Sequence, residues 1–219
     1  MIGMLNLCRT SYVLSILLII LLGSRQSSLA SEPVRIFGTE ENRSNNLKAF
    51  KKWTQVIARY EQEARFISEA CSEKTPLACN YQSLKEFSDK IRNDRLIDKA
   101  DQVNNLINQG KYINDQLNWG SKDVWNSPGQ FMERFGDCED FAIAKYVALL
   151  MAGVPDNSMR IVAVNDLNLK VGHAILVIFI DGKNYILDNQ VKSLIEDKRI
   201  RHYEPIYSIN RKYWWRHLK

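Results

Sequence analysis

One stretch decides the fold, Phe135-Gly136-Asp137-Cys138-Glu139-Asp140-Phe141, because it places a cysteine among three carboxylates directly before a strongly apolar run. That run, residues 141–152, has helical length and no breaker, and Gly153 and Pro155 end it. The pattern predicts a largely buried helix with Cys138 in its first turn. The N-terminus of a helix carries partial positive charge, which favours a thiolate. The three neighbouring carboxylates oppose it, and thiolate chemistry requires that this conflict be resolved.

The composition is that of a globular chain with an unremarkable charge. Its 219 residues are 45% hydrophobic, which suits either one domain or one domain with an additional helical lobe. The formal net charge is +5, and no basic run is interleaved with aromatic residues. This pattern argues against nucleic-acid binding.

Residues 1–30 are expected to be a cleaved signal peptide. Arg9 precedes an apolar core at residues 13–22, and Ser28-Leu29-Ala30 forms a small-x-small pattern before Ser31. Such a core is too short to span a bilayer comfortably, although an uncleaved anchor is the alternative. Cleavage would place the protein in an oxidising compartment outside the cytoplasm, which we expect to be a bacterial periplasm.

The four cysteines have different expected roles. Cys8 lies in the predicted signal peptide, and a local disulfide between Cys71 and Cys79 fits their spacing. Cys138 is then left over. In an oxidising compartment a leftover thiol indicates catalysis or intermolecular pairing, and a buried, inert cysteine is the alternative.

The first half of the chain is predicted to be helical. Residues 31–45 are interpreted as an extended leader. Apolar periodicity predicts helices over Leu47–Cys71, around Tyr81–Ile91 and over Arg95–Asn108. We assign residues 31–110 to this leader and an N-terminal helical lobe.

The second half, residues 111–219, is predicted to be the core that carries the chemistry. Residues 111–130 lose periodicity and are interpreted as a long loop, whose aromatic side chains either line a substrate cleft or wedge two lobes together. These aromatics are Tyr112, Trp119 and Trp125. Strands are predicted over Arg160–Asn165, Val171–Ile180 and Lys183–Asp188, with one more strand in the tail that starts at Tyr203.

His173 and Asp188 complete a possible catalytic set with Cys138. If Asp181-Gly182 forms a two-residue hairpin turn, the residue numbers of each cross-strand pair sum to 363. Asp188 is then opposite Ile175, so that His173 and Asp188 lie on one face of the sheet as diagonal neighbours. A cysteine, a histidine and an aspartate supply a nucleophile, a base and a group that orients the base. A satisfied core histidine and a strand-end polar residue are the alternative interpretations.

The acids around Cys138 have two interpretations. Asp137 and Asp140 fit a capping box, and Glu139 complements the helix dipole. However, one unit charge at about 6 Å costs about 2.8 kcal/mol against a thiolate at an effective dielectric constant near 20. Calcium, which prefers oxygen ligands, would reverse this field. We therefore expect Ca²⁺ at Asp137 and Glu139, with Asp123 or nearby backbone carbonyls as further candidate ligands.

Over roughly residues 45–215 the sequence resembles the bacterial transglutaminase-like cysteine proteinases, and is most similar to the LapG-type periplasmic adhesin proteases. The matching motifs are Trp119-Gly120, Asp123-x-Trp125, Pro128, Gly136 to Ala142, Lys145-Tyr146, His173, Leu187-Asp188-Asn189 and Pro205 to Asn210. Ala174 departs from the pattern, because a bulkier apolar residue is expected after the histidine.

The resemblance implies an α+β fold with a papain/transglutaminase-like core, in which a buried helix carries the cysteine against an antiparallel sheet. It implies Cys138, His173 and Asp188 as the triad, and Asp137 and Glu139 as ligands of a required calcium ion. The implied substrate is the N-terminal region of a large surface adhesin, cut at an Ala-Ala-type site so that biofilm disperses. The implied regulator is an inner-membrane cyclic-di-GMP receptor whose periplasmic domain sequesters the protease.

Three other functions stay open at this level. The same triad supports acyl transfer, with an amine in place of water, or a peptidoglycan-peptide amidase. A non-catalytic calcium-binding adaptor that retains the fold is the third.

Overall fold

The structure is a computed structural model that describes residues 35–65 and 76–218. The predicted signal peptide and Cys71 lie outside these residues, whereas Cys79 lies within them and is disulfide-bonded. Within the described ranges, no helix is both long enough and apolar enough to cross a bilayer.

The helices differ from the prediction mainly in the segment expected to be a loop. The described helices are α1 (Lys51–Glu63), α2 (Pro76–Lys90), α3 (Leu96–Ile107), α4 (Asp115–Trp119), α5 (Pro128–Arg134) and α6 (Cys138–Met151). The long-loop prediction was wrong because that segment contains α4 and α5. They have five and seven residues, too few to show periodicity, and a Ser127–Gln130 capping box starts α5. Helix α1 starts later than predicted, since Phe50 has a non-helical backbone.

The strands form one antiparallel sheet in the order β1-β7-β6-β2-β3-β4-β5. Their bounds are β1 Glu40–Ser44, β2 Met159–Asp166, β3 Val171–Ile180, β4 Lys183–Leu187, β5 Ile195–Glu196, β6 Tyr203–Ile209 and β7 Trp214–Leu218. Two predictions were wrong. The supposed leader supplies β1, which pairs with β7, and the tail supplies two strands rather than one. Strand β1 escaped detection because an edge strand need not alternate in polarity, and its residues are mostly charged or polar.

The predicted hairpin register is confirmed. Asp181 and Gly182 both have positive φ, 48° and 74°, as a type I′ turn requires. The pairs run from Ile180↔Lys183 to Leu176↔Leu187, so paired positions sum to 363. His173 and Asp188 lie just beyond the end of this ladder.

Helix α6 lies at the centre of the main core. Its residues are buried from Asp140 to Leu149, and it packs against the face of β3 that carries Leu176 and Ile178. Side chains of α1, α2 and α3 join this core, including Trp53, Leu84 and Val103. The buried helix and the sheet therefore share one interior, which fixes the N-terminus of α6 beside the start of β3.

Candidate active site

Cys138 is the first residue of α6 and is the free cysteine of the described part of the chain. Its thiol is half-buried and donates to Glu139 Oε2 (3.2 Å). The sulfur also accepts from the backbone N–H of Ala174. This contact places the thiol against β3, next to His173 in the sequence.

The helix start is held by Asp140 rather than by Asp137 alone. Buried Asp140 accepts from the backbone N–H of Asn126 (2.6 Å), from Asn126 Nδ2 (2.7 Å) and from the backbone N–H of Asp137 (3.4 Å). Its carboxylate also explains the glycine of the motif, because a Cβ on Gly136 would lie 2.0 Å from Asp140 Oδ2. The expected capping role of Asp140 is present, together with a clamp on Asn126 that the sequence did not indicate.

His173 and Asp188 are joined directly. His173 Nε2 lies 2.9 Å from Asp188 Oδ1, and both side chains are almost fully buried. Asp188 also accepts from the backbone N–H of Gln190 (2.9 Å) and from the hydroxyl of Tyr203 (2.7 Å). Burial opposes ionisation of Asp188, but the hydrogen bonds from His173, Gln190 and Tyr203 prevail and lower its pKa. Since an ionised carboxylate only accepts, Nε2 carries the proton and Nδ1 is the nitrogen left for the thiol.

The acidic side chains meet beside the thiol. Carboxylate oxygens of Asp115, Asp137 and Asp140 lie within 4.8 Å of one another, as do ligand atoms of Asp137, Cys138 and Glu139. The buried Oδ1 atoms of Asp115 and Asp137 have no hydrogen-bond partner among the described residues. Burial, followed by the hydrogen bond and charge of Glu139, raises the pKa of Asp137 to about 9. The oxygens thus form an uncompensated acidic cluster.

This cluster acts on the cysteine. Burial raises the pKa of the Cys138 thiol well above its usual range, and the charge and hydrogen bond of Glu139 raise it further, with a smaller contribution from Asp137. The Ala174 N–H acts in the opposite direction. The conflict that the sequence indicated is therefore present in the structure, and the thiolate needs a compensating positive charge.

A sequence profile of the family described as bacterial transglutaminase-like cysteine proteinase (BTLCP) matches residues 63–218, which include the thiol, the His173–Asp188 pair and the acidic cluster. The chain belongs to this family. It is a cysteine peptidase with a transglutaminase-like α+β fold, and the fold class expected from the sequence is confirmed.

Solved structures of a relative support the same assignment. Calcium-bound LapG of Legionella pneumophila is 26% identical with a TM-score of 0.61, and the match covers 72% of this chain and 87% of that chain. EGTA-treated LapG matches with 26% identity and a TM-score of 0.61, covering 73% and 86%. Among curated protein sequences no match was found.

Several residues of this proteinase site had no role assigned to them from the sequence. Tyr203 was placed only at the start of the predicted tail, although its hydroxyl donates to Asp188. Asp115 belongs to the acidic cluster, whereas the candidate Asp123 lines the same surface depression but forms an ion pair with Lys52. Lys145, two turns after the cysteine on α6, is fully buried with no partner for Nζ among the described residues. Burial lowers the pKa of Lys145 to about 7, against the charge of Asp188.

The aromatic side chains of residues 111–130 were expected either to line a substrate cleft or to wedge two lobes together, and they differ in their surroundings. Trp125 packs against the main core, and Trp119 lies under the guanidinium of Arg134 at 4.8 Å. Tyr112 is 58% exposed and forms an isolated bridge with Gly136, directly before Asp137 and Cys138. The two tryptophans therefore pack, and Tyr112 alone of the three presents an exposed ring beside the thiol.

Replacing Tyr203 by Phe tests the support of Asp188. The change removes one of three donors, so we expect the pKa of Asp188 to rise and His173 to be held less firmly. Asp188 supports His173 only when it is ionised, that is, at pH values above its pKa. If the variant raises this pKa, the acid limb of the kcat/KM profile should move to higher pH. We expect kcat/KM to fall roughly tenfold, since a hydrogen bond to a charged group contributes about 1.5–3 kcal/mol. Tyr213→Phe removes a hydroxyl elsewhere, and an equal loss in both variants would contradict the assignment.

Proposed function

We propose that this chain is a calcium-dependent cysteine endopeptidase that uses Cys138, His173 and Asp188. The Cys138 thiolate attacks the scissile carbonyl carbon, and His173 Nδ1, having taken the thiol proton, delivers it to the departing amine. Water then attacks the thioester, gives a proton to His173, and the sulfur leaves and is reprotonated. Asp188 keeps the imidazole in the tautomer that these steps need. The observation that carries this proposal is the contact of the Cys138 thiol with the backbone of Ala174. Ala174 directly follows His173, and the ring of His173 is hydrogen-bonded to Asp188.

The acidic cluster fits a calcium ion. Its donors are hard carboxylate oxygens, and the Oδ1 atoms of Asp115 and Asp137 are buried without a partner in the described residues, as expected where a cation completes the site. Asp137 and Glu139 would hold the ion, and Asp115 is the third ligand that the structure adds. When bound, calcium supplies positive charge that offsets the carboxylates around the sulfur. The calcium-bound and EGTA-treated structures of Legionella LapG support this part of the proposal.

We further propose that the enzyme acts in the periplasm on the N-terminal region of a large surface adhesin. The motifs that the sequence shares with the LapG-type adhesin proteases imply this substrate. The disulfide bond of Cys79 fits an oxidising compartment, in agreement with the expected signal peptide at residues 1–30. Cleavage at an Ala-Ala-type site would release the adhesin and disperse biofilm. The periplasmic domain of an inner-membrane cyclic-di-GMP receptor would bind the enzyme and inhibit it.

Cleavage of the adhesin itself tests the substrate. We expect the purified enzyme with calcium to cut an N-terminal fragment of the largest adhesin of its own organism once, as read by intact-mass spectrometry. A fragment with the Ala-Ala-type site changed to Asp-Asp is the matched control and should stay intact. An equimolar amount of the receptor's periplasmic domain should block the cut. If the enzyme does not cut the fragment but releases peptides from purified peptidoglycan, its substrate is the cell wall and not the adhesin.

A further inference from the structure

Strand β3 has an open edge beside the catalytic thiol. Its register with β2 is continuous over Val171–Ile178. On its other side, the ladder with β4 reaches only to Leu176. Residues 171–175 thus have no strand partner on that side among the described residues. Unpaired strand edges accept extended polypeptide segments as additional strands.

The direction of the backbone groups along this edge follows from Ala174. Its N–H reaches the sulfur of Cys138, so it points away from β2. In an antiparallel ladder the N–H and C=O of one residue point to the same side, and those of the next residue point to the opposite side. The N–H and C=O of Gly172 therefore point to the open edge as well, about 7 Å upstream of Ala174.

The face of β3 next to the thiol carries little side-chain bulk. Because the register of β3 has no bulge, Gly172 and Ala174 project to the face that carries Leu176 and Ile178, against which α6 packs. Gly172 is exposed, and a Cβ built on it would meet nothing within 4 Å. Its φ is not in the left-handed region, so the glycine is not required by the backbone. Ala174, which departs from the expected bulk, adds only a methyl group to this face.

We propose that this open edge, residues 171–175, binds the polypeptide substrate as an added extended strand, with the main chain of Gly172 pairing with residues beside the scissile bond. The inference rests on the proposed peptidase function. The open edge leads directly to the thiol, and a chain paired with Gly172 would run past Cys138. The polypeptide that binds there is therefore the substrate. The substrate must then be an extended segment, because a helix has already used its own N–H and C=O groups.

Gly172→Val tests the proposal, because valine suits a strand and its Cβ would meet nothing within 4 Å. Two probes of Cys138 are compared, both read as adduct formation by mass spectrometry. Iodoacetamide needs only the thiol, whereas an aza-peptide Michael acceptor with two alanines on each side of its electrophile needs the edge. The control is Asn42→Val, an exposed position on β1, which three strands separate from β3.

We expect Gly172→Val to slow the peptide probe at least tenfold and iodoacetamide less than twofold, while Asn42→Val changes neither rate beyond twofold. Equal slowing of both probes, or of neither, would overturn the proposal. If the valine variant does not fold by circular dichroism, Gly172→Ala takes its place, with a smaller loss expected for the peptide probe alone. These rates do not depend on the adhesin, so failure of the edge and failure of the proposed substrate are distinguishable.

Discussion

Cys138→Ala should reduce peptide-bond hydrolysis by a factor on the order of 10⁴ or more and leave the fold intact. In the proposed mechanism this thiol is the nucleophile, and no other free thiol occurs in the described part of the chain. The helix does not depend on it, because Asp140 holds the helix start and the buried residues that follow hold the rest. The measurement is kcat/KM on a peptide substrate, together with thermal unfolding followed by circular dichroism.

Two further measurements sharpen this prediction. Cys138→Ser keeps the size and the hydrogen-bonding capacity of the side chain, so its equal inactivity would show that thiolate chemistry, not packing, was lost. An excess of a primary amine, with the products resolved by mass spectrometry, separates hydrolysis from acyl transfer. We expect the free acid as the main product of the wild type. Retained hydrolysis in Cys138→Ala would end the thiol mechanism.

The parts of the site that the sequence predicted are those that depend on local pattern. The N-terminal position of Cys138 on α6 followed from the apolar run and its glycine stop. The meeting of His173 with Asp188 followed from one turn, since Asp181-Gly182 fixes the register of every pair behind it. A two-residue turn thus specified a contact between residues 15 positions apart.

The parts that were missed depend on tertiary contacts with no local signal. Tyr203 reaches Asp188 only because β6 pairs with β2, so its role requires the whole sheet order. Asp115 joins Asp137 through the short helix α4, which is too brief to be recognised. His217, to which no role was assigned, is buried against Thr39 and Ser208, because β1 covers the sheet edge there. Lys145 lay within an apolar run, where nothing in the pattern distinguishes a buried lysine from an exposed one.

Removing calcium should make Cys138 about a hundredfold less reactive near neutral pH. One uncompensated charge at about 6 Å raises the thiol pKa by about two units, and each unit lowers the thiolate fraction tenfold. In EGTA the pH profile of iodoacetamide alkylation should therefore move to higher pH, and the difference should vanish once the pH exceeds both thiol pKa values. Added calcium should restore the original profile. Glu133→Gln, which removes an exposed acid on α5, should respond as the wild type does.

The direction in which one substitution changes the reactivity of the Cys138 thiol distinguishes a metal site from simple helix capping. Asp137→Asn removes a ligand but also one of the carboxylates that oppose the thiolate. If the acids hold calcium, this variant should lose the calcium response. In EGTA above about pH 9, where Asp137 is ionised, its thiol should react faster than that of the wild type in EGTA. If Asp137 only caps the helix, asparagine caps nearly as well, and calcium or EGTA should change neither protein. A wild-type profile that does not move in EGTA would return Asp137 and Glu139 to the capping role. The unpartnered Oδ1 of Asp137 favours the first outcome, because a cap uses its oxygens on backbone N–H groups and a ligand leaves one for the ion.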